Sequence, residues 1–390
     1  MKYLGMESDD LELRQAIHTA REITQQPSLW LDIYDRVRSK TKEIKDFIES
    51  SFPDASRILL TGAGTSAFIG LSLQGSFFRY LGKHTQAIPT TDLVSHPHDY
   101  IAPDDNIILI SFARSGSSPE SIAAAQIADQ ITHRANHIII TCDSNGKLAS
   151  FQTQNKKLVI TLPPESNDKG LAMTSSYTGM LLTGLLLARI DEIDALSSQV
   201  NRLAQYADKV IHDDFQKLRQ ISEQPFNRAV FLGSGPLFGT ATEAHLKLQE
   251  LTDGQIICKK DSYLGFRHGP KAVIDRNTLV MCFLSNQNYV SKYEKDLVFS
   301  MKESSPALVN MGIFEQDSFG VDFDVEVQLS ESESFIDEEF LPVCSIVPAQ
   351  ILAFYKSLNL GHKPDNPSES GAISRIVQGV QIYSMEEKIK

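Results

Sequence analysis

The chain repeats itself. At an offset of 171, Arg57-Ile-Leu-Leu-Thr-Gly62-Ala-Gly64 falls on Arg228-Ala-Val-Phe-Leu-Gly233-Ser-Gly235. At the same offset Asn106-Ile-Ile-Leu-Ile-Ser-Phe112 falls on Asn277-Thr-Leu-Val-Met-Cys-Phe283, and the apolar run His137–Ile140 falls on Leu308–Met311. Thr174, which opens an apolar helix, falls on Ser345, which opens another. Evenly spaced strands would align by accident at one or two of these places. Four matches at one offset point to a duplication, and a duplicated chain must fold as two similar units.

Within each half, short β-rich runs alternate with amphipathic helical patterns. In the first half the runs are Arg57–Leu60, Ile107–Ile110, His137–Thr141 and Leu158–Leu162, with amphipathic stretches such as Ala67–Leu81 and Pro119–Ile131 between them. Such alternation predicts parallel strands joined by right-handed crossovers, with helices on both faces. The expected fold class is α/β: two tandem doubly wound parallel-sheet domains of flavodoxin-like three-layer αβα type, over 51–205 and 220–360. Residues 1–50, with Leu11, Leu13, Ile17, Ile23, Ile33, Val37, Ile44 and Ile48 at helical spacing, predict a helical extension packed on the first domain. The tail, 361–390, begins as a Pro- and Ser-rich loop and ends in the apolar positions Ile376, Val377, Val380 and Ile382.

Composition narrows the function. Of 390 residues, 37 are Lys or Arg and 49 are Asp or Glu, a net charge of −12, which argues against nucleic acid or an anionic membrane as partner. Hydrophobic residues make up 42%, enough for a sizeable core. Four cysteines, Cys142, Cys258, Cys282 and Cys344, stand far apart without a CxxC pair, so they read as free thiols in a reducing compartment and not as a disulfide framework or metal site. The N-terminus does not look like a signal peptide, and the apolar stretch from Met180 to Ile190 is too short to span a bilayer. A soluble, cytoplasmic protein is expected. The acidity is concentrated: ten acidic residues and no Lys or Arg lie between Glu315 and Glu339, which predicts a solvated face.

In an open α/β sheet, ligands bind where loops leave the carboxyl ends of strands and enter helix N-termini. Two loops of the first half fit. Thr61-Gly-Ala-Gly-Thr-Ser-Ala67 satisfies G-x-G-x-x-A, yet no acidic residue follows about 20 positions on, and a tight strand-to-helix turn needs glycine whatever the ligand. Ser111-Phe-Ala-Arg-Ser-Gly-Ser-Ser-Pro-Glu120 offers Ser115, Ser117 and Ser118 around Gly116, with Arg114 beside them and Pro119 at a first-turn position. Such hydroxyls and free N–H groups suit a phosphate monoester; equally, Ser117-x-x-Glu120 could form a capping box. The corresponding loop Ser285-Asn-Gln-Asn-Tyr289 lacks the Ser-Gly-Ser core.

The second half carries a different pattern. Glu243, Leu246, Lys247 and Glu250 share one helical face, the spacing of a solvated ion-pair row. Further on, Gly265-Phe-Arg-His268-Gly-Pro-Lys271 puts a histidine in a Gly/Pro loop between two cations, a place where a histidine can be structural or catalytic.

Together these motifs resemble the SIS (sugar isomerase) domain, present twice over roughly residues 45–383. The resemblance rests on GAGTS at 62–66, Ala113-Arg-Ser-Gly-Ser-Ser-Pro-Glu-Ser121, LAMTS at 171–175, and the Gly233-Ser-Gly helix ending in LKLQE followed by RHGP. It is strongest to the AgaS group of tagatose-6-phosphate ketose/aldose isomerases and galactosamine-6-phosphate deaminase/isomerases, and weaker to the isomerase half of glucosamine-6-phosphate synthase. The resemblance implies phosphate-binding residues at Ser66, Ser115, Ser117 and Ser118, with Arg114 where the synthase has glutamine. It implies Glu250 as the isomerising carboxylate and His268 as the ring-opening group, reaching into a neighbouring subunit of a homodimer or larger homo-oligomer. Gly64, Thr65, Thr174, Ser175 and Lys247 would line the sugar. Two departures stand out: Glu250 and His268 are two residues further apart than in the synthase, and its C-terminal catalytic lysine falls on Gln378, with Arg375 the nearest cation.

The implied activity is isomerising deamination of a hexosamine 6-phosphate, foremost galactosamine 6-phosphate to tagatose 6-phosphate and ammonia, as in amino-sugar catabolism. It needs no metal or other cofactor, because an open-chain carbonyl or imine already acidifies C2. The alternatives are plain aldose/ketose isomerisation of tagatose 6-phosphate, deamination of glucosamine 6-phosphate, and a non-catalytic sugar-phosphate sensor.

Overall fold

Residues 1–385, apart from Ser305, Glu333 and 376–378, are described by a computed structural model. The chain opens with a hairpin of β1 (Lys2–Tyr3) and β2 (Met6–Glu7), followed by α1 (Ser8–Leu13), α2 (Ile17–Thr24), α3 (Gln26–Ser39) and α4 (Thr41–Ser51). The first repeat then runs β3 (Arg57–Thr61), α5 (Thr65–Leu81), β4 (Thr85–Ala87), α6 (Thr90–Ser95), β5 (Ile107–Ala113), α7 (Pro119–Ile131), β6 (Ala135–Thr141), β7 (Lys157–Thr161) and α8 (Ser175–Ala188). After the connecting helices α9 (Ser197–Lys209) and α10 (Phe215–Ser222), the second repeat runs β8 (Arg228–Leu232), α11 (Leu237–Leu251), β9 (Ile257–Asp261), α12 (Tyr263–Phe266), β10 (Thr278–Phe283), α13 (Asn288–Ser304), β11 (Val309–Phe314), β12 (Val325–Gln328), α14 (Leu341–Ser345) and α15 (Val347–Asn359).

Both sheets are parallel and five-stranded, in the orders β4-β3-β5-β6-β7 and β9-β8-β10-β11-β12. The repeat extends to the register. Arg57 stands opposite Ile107 in the first sheet, and Arg228 opposite Thr278 in the second, so the same sequence offset relates the paired positions. In each sheet the order reverses beside the first strand of the repeat, so the crevice for a ligand lies between β3 and β5 and, in the second half, between β8 and β10.

The inner faces of the two sheets share one apolar core, which also takes in the N-terminal helices. Trp30 of α3 is fully buried there, and its indole N–H donates to Thr178 Oγ1 of α8 at 3.0 Å. The extension does more than cover the first domain. Asp365 beyond α15 accepts the backbone N–H of His18 at 3.1 Å and of Thr19 at 2.8 Å, and Tyr355 of α15 donates its hydroxyl to Leu4 O. The N-terminal helices therefore clasp both repeats, because their apolar faces have partners on α8 and on α15. The run Glu338–Asn359 is long and apolar enough to cross a membrane by composition, but 94% of its apolar stretch is buried within the fold. Ser345 closes the short α14 and does not open the long helix, contrary to the repeat pattern.

The two halves meet most closely at α5 and its counterpart α11. Ser72 Oγ donates to Pro236 O at 2.7 Å, and a Cβ at Gly239 would stand 2.1 Å from Ser72 Oγ. Only glycine permits that approach, and it brings the start of α11 against the middle of α5.

The acidic segment is a solvated face only in part: Asp317, Asp322, Asp324, Glu326 and Glu331 are exposed, but Glu315 and Glu339 are buried. Glu339 is buried and meets Arg79, Arg189 and the Tyr80 hydroxyl, so it ties the second half to α5. Glu315 is 2% exposed. The density of acids says nothing about how many face donors supplied by distant parts of the chain.

Candidate active site

The glycines of the first loop serve close packing. A Cβ at Gly62 would lie 2.5 Å from the backbone carbon of Ser66, and Gly64 turns the chain into α5 at φ 55°. Thr65 thus sits at the first position of a 17-residue helix whose N-cap offers no side-chain acceptor. After β5, Gly116 adopts φ 59° and α7 begins at Pro119 with Ser118 as N-cap. The Ser117/Glu120 capping box is not made: Ser118 makes no side-chain cap bond and pairs with Ser121 at 2.6 Å, while Glu120 Oε2 is buried without a partner. Ser115 Oγ accepts from Ser117 N at 3.3 Å within the same turn.

Beside these helix starts lies a cavity of about 540 Å³. Gly64, Thr65, Arg114 and Glu250 contribute to its wall, together with Leu171, Met173 and the tail from Gly371 to Arg375. Arg114, only 8% exposed, donates to Leu171 O at 3.2 Å and also to Arg375 O. Arg375 in turn donates to Asp168 O and Asn167 Oδ1, both at 2.8 Å. The two guanidinium groups therefore stitch three segments into one wall. Burial lowers the Arg114 pKa from its ordinary value.

Behind Glu250 is a buried charge row. Lys247 Nζ lies 2.5 Å from Glu250 Oε2, 3.3 Å from Glu243 Oε1 and 3.2 Å from Thr65 Oγ1. Glu243 and Lys247 are fully buried, so this row is not the solvated face its spacing suggested; α5 of the other repeat covers it. Burial pushes Glu243 up to about 8, against the pull of Lys247. Burial opposes the Lys247 charge, yet Glu243 and Glu250 together hold its pKa above the ordinary value. Lys247 is a cation fixed between two carboxyl groups, of which only Glu250 reaches the cavity.

Gly64, Thr65, Arg114, Glu250 and Arg375 thus share one cavity, with Lys247 directly behind. Ser66, buried in the first turn of α5, and Ser115, Ser117 and Ser118 lie on the adjoining elements but not on the cavity wall. Thr174 and Ser175 do not reach it. Their backbone N–H groups donate to the Asp168 carboxylate at 2.8 and 3.1 Å, and Ser175 Oγ donates to Glu22 O, so the start of α8 already has its anion. His268 is exposed on the loop after α12, outside the cavity. Gln378 lies outside the described residues. The residues missed were Leu171, Met173, Ala63 and the tail 371–374. The LAMTS motif contained the first two, but its threonine and serine, the polar members, drew the assignment.

One further carboxyl supports this wall. Glu22 of α2 accepts from Lys169 N at 2.5 Å and Gly170 N at 3.3 Å, and burial followed by the Asp168 charge pushes its pKa up to about 9.

The SIS domain profile matches residues 51–190. The D-galactosamine-6-phosphate deaminase AgaS of Shewanella sp. strain ANA-3 is 37% identical over 385 residues, covering 97% of this chain and 95% of that protein. The tagatose-6-phosphate ketose/aldose isomerase of Escherichia coli superposes with a TM-score of 0.84 at 34% identity, over 94% of this chain and 97% of that one. A Clostridium novyi NT structure, provisionally assigned the same isomerase activity, superposes with a TM-score of 0.95 at 37% identity, over 99% and 100%. The chain belongs to the SIS-domain family, and within it to the AgaS group of double-domain proteins.

Proposed function

We propose that this chain is an isomerising deaminase of D-galactosamine 6-phosphate, yielding D-tagatose 6-phosphate and ammonia. The observation that carries the reading is the placement of Glu250. Its carboxylate, held by Lys247 at 2.5 Å, faces a cavity bordered by the uncapped start of α5 and by Arg114. The AgaS relative supplies the substrate class.

The phosphate is assigned to the Ser115–Ser118 loop and Ser66, which adjoin the cavity without lining it, because the starts of α7 and α5 favour an anion. Ring opening exposes the C1 aldehyde. Glu250 then takes the proton from C2 as O1 gains one, giving an enolamine, and returns it to C1 as the amino group loses one, leaving an imine at C2 and a hydroxyl at C1. Water adds to that imine, and the C–N bond breaks to release ammonia and leave the C2 ketone. Lys247 holds the carboxylate and balances its charge as the proton moves. His268, exposed on its own chain, acts in ring opening at the site of a neighbouring subunit, so the working unit is a homodimer or larger assembly.

A second reading, isomerisation of tagatose 6-phosphate without loss of nitrogen, is favoured by the assignment of the Escherichia coli structure. Coupled assay of ammonia release from galactosamine 6-phosphate, glucosamine 6-phosphate and their N-acetyl forms separates them. Turnover of tagatose 6-phosphate with no ammonia from either amino sugar would falsify the deaminase assignment.

A further inference from the structure

Beyond the carboxyl ends of β10 and β11 the second sheet holds a buried carboxylate in a ring of neutral donors. At the offset of 171, Asn286 stands where the first repeat has Ser115. Asn286 Nδ2 donates to Glu315 Oε2 at 2.7 Å. Glu315 follows directly on β11, the strand next to β10, and its Oε1 accepts from the Tyr206 hydroxyl at 2.8 Å and from Ile336 N at 2.7 Å. Three donors from three separate segments therefore converge on one carboxylate that is 2% exposed. No Lys or Arg among the described residues pairs with it. Beside it, Ser285 donates its hydroxyl to Glu338 and its N–H to Glu294 Oε2 at 3.0 Å; Glu294 is fully buried and its Oε1 has no partner.

A buried carboxylate surrounded by neutral donors is the arrangement of a bound anion. Donors left empty in such a place would each carry the desolvation cost of an unmade hydrogen bond. We propose that Glu315 is a built-in ligand: its carboxylate occupies, in the second repeat, an anion site made by Tyr206, Asn286 and Ile336. The acidic segment is thereby anchored at both ends, by Glu315 on the second sheet and by Glu339 on α5. The anion site rests on the three donors alone, whatever substrate the first repeat takes.

Glu315→Ala vacates the site, and the probes are acetate and formate, with chloride at matched ionic strength as control. The expected result is a variant that melts several degrees below the wild type and regains Tm saturably with acetate or formate, while the wild type responds to neither beyond the chloride effect. Equal responses to acetate and chloride overturn the proposal. If that variant does not fold, Glu315→Gln keeps the shape and removes the charge. The Ile336 amide proton is then expected to shift upfield in the 1H–15N spectrum, and an unmoved Ile336 resonance also overturns it. Neither readout uses the sugar substrate, so failure here is separate from failure of the deaminase assignment.

Discussion

Lys247 Nζ lies between Glu250 Oε2 at 2.5 Å and Glu243 Oε1 at 3.3 Å, fully enclosed by the two repeats. The lysine links a carboxylate that faces the cavity to one that does not, so the two ends of the row are separable by substitution.

Glu250→Gln should lower C2–H exchange with deuterated solvent by about 10²–10⁴-fold while sugar-phosphate binding persists. Proton NMR follows the exchange and calorimetry the binding; wild-type exchange in the variant would remove Glu250 from the mechanism.

Lys247→Met removes the donor that Glu243 and Glu250 share; burial already holds Glu243 near 8, so its carboxyl keeps a proton and the loss should be about 1–3 kcal/mol, the scale of an unmade buried hydrogen bond. Adding Glu243→Gln should recover part of that loss, because an amide brings its own donors to the buried site, without restoring kcat. Additive losses in the double variant would mean that the two side chains are not coupled.

Ser115→Ala with Ser118→Ala should raise KM roughly tenfold or more, the scale of one or two hydrogen bonds to a charged group, with a smaller effect on kcat. An unchanged KM argues that the phosphate lies elsewhere.

If His268 serves a neighbouring site in a symmetric dimer, Glu250→Gln and His268→Asn chains, each inactive alone, should complement when refolded together in equal amounts. Random pairing rebuilds one intact site per mixed dimer, so about a quarter of wild-type activity is expected. No recovery would confine the two residues to one chain or dismiss His268.

Glu22 predicts alkaline weakening. In the unfolded chain its proton leaves near the ordinary 4.5, whereas burial and Asp168 hold it to about 9 in the fold. Across that window the folded protein binds more protons, so unfolding becomes easier as pH rises, and the contribution is lost through pH 9. Tm measured from pH 5 to 9.5 should fall less steeply in Glu22→Gln; parallel slopes would assign the effect to other groups.

The fold was legible because its evidence is periodic: a strand register shared by both repeats follows from apolar runs aligned at one offset. Glu243 and Lys247 were not legible as buried groups, since spacing of i and i+4 is the same on a wet helix as on one covered by a helix from the other repeat. Ser175 and Thr174 misled for a similar reason: a polar residue at a helix start signals an anion, but not whether Asp168 already supplies it. The tail's contribution to the cavity had only the approximate position of Arg375 to mark it, because loop residues carry no period.

Gly239 makes the α5–α11 contact a fulcrum. Glu250 is eleven residues further along the same helix, about 16 Å at 1.5 Å per residue, so a slight tilt at the contact sweeps the carboxylate through a proportionate arc. A single methyl group at Gly239→Ala, outside the cavity wall, is expected to depress kcat as well as Tm, since its Cβ would stand 2.1 Å from Ser72 Oγ and 2.8 Å from Phe68 O. The aim of Glu250, the proposed base, thus depends on a residue with no side chain, where the two copies of an ancestral unit approach most closely.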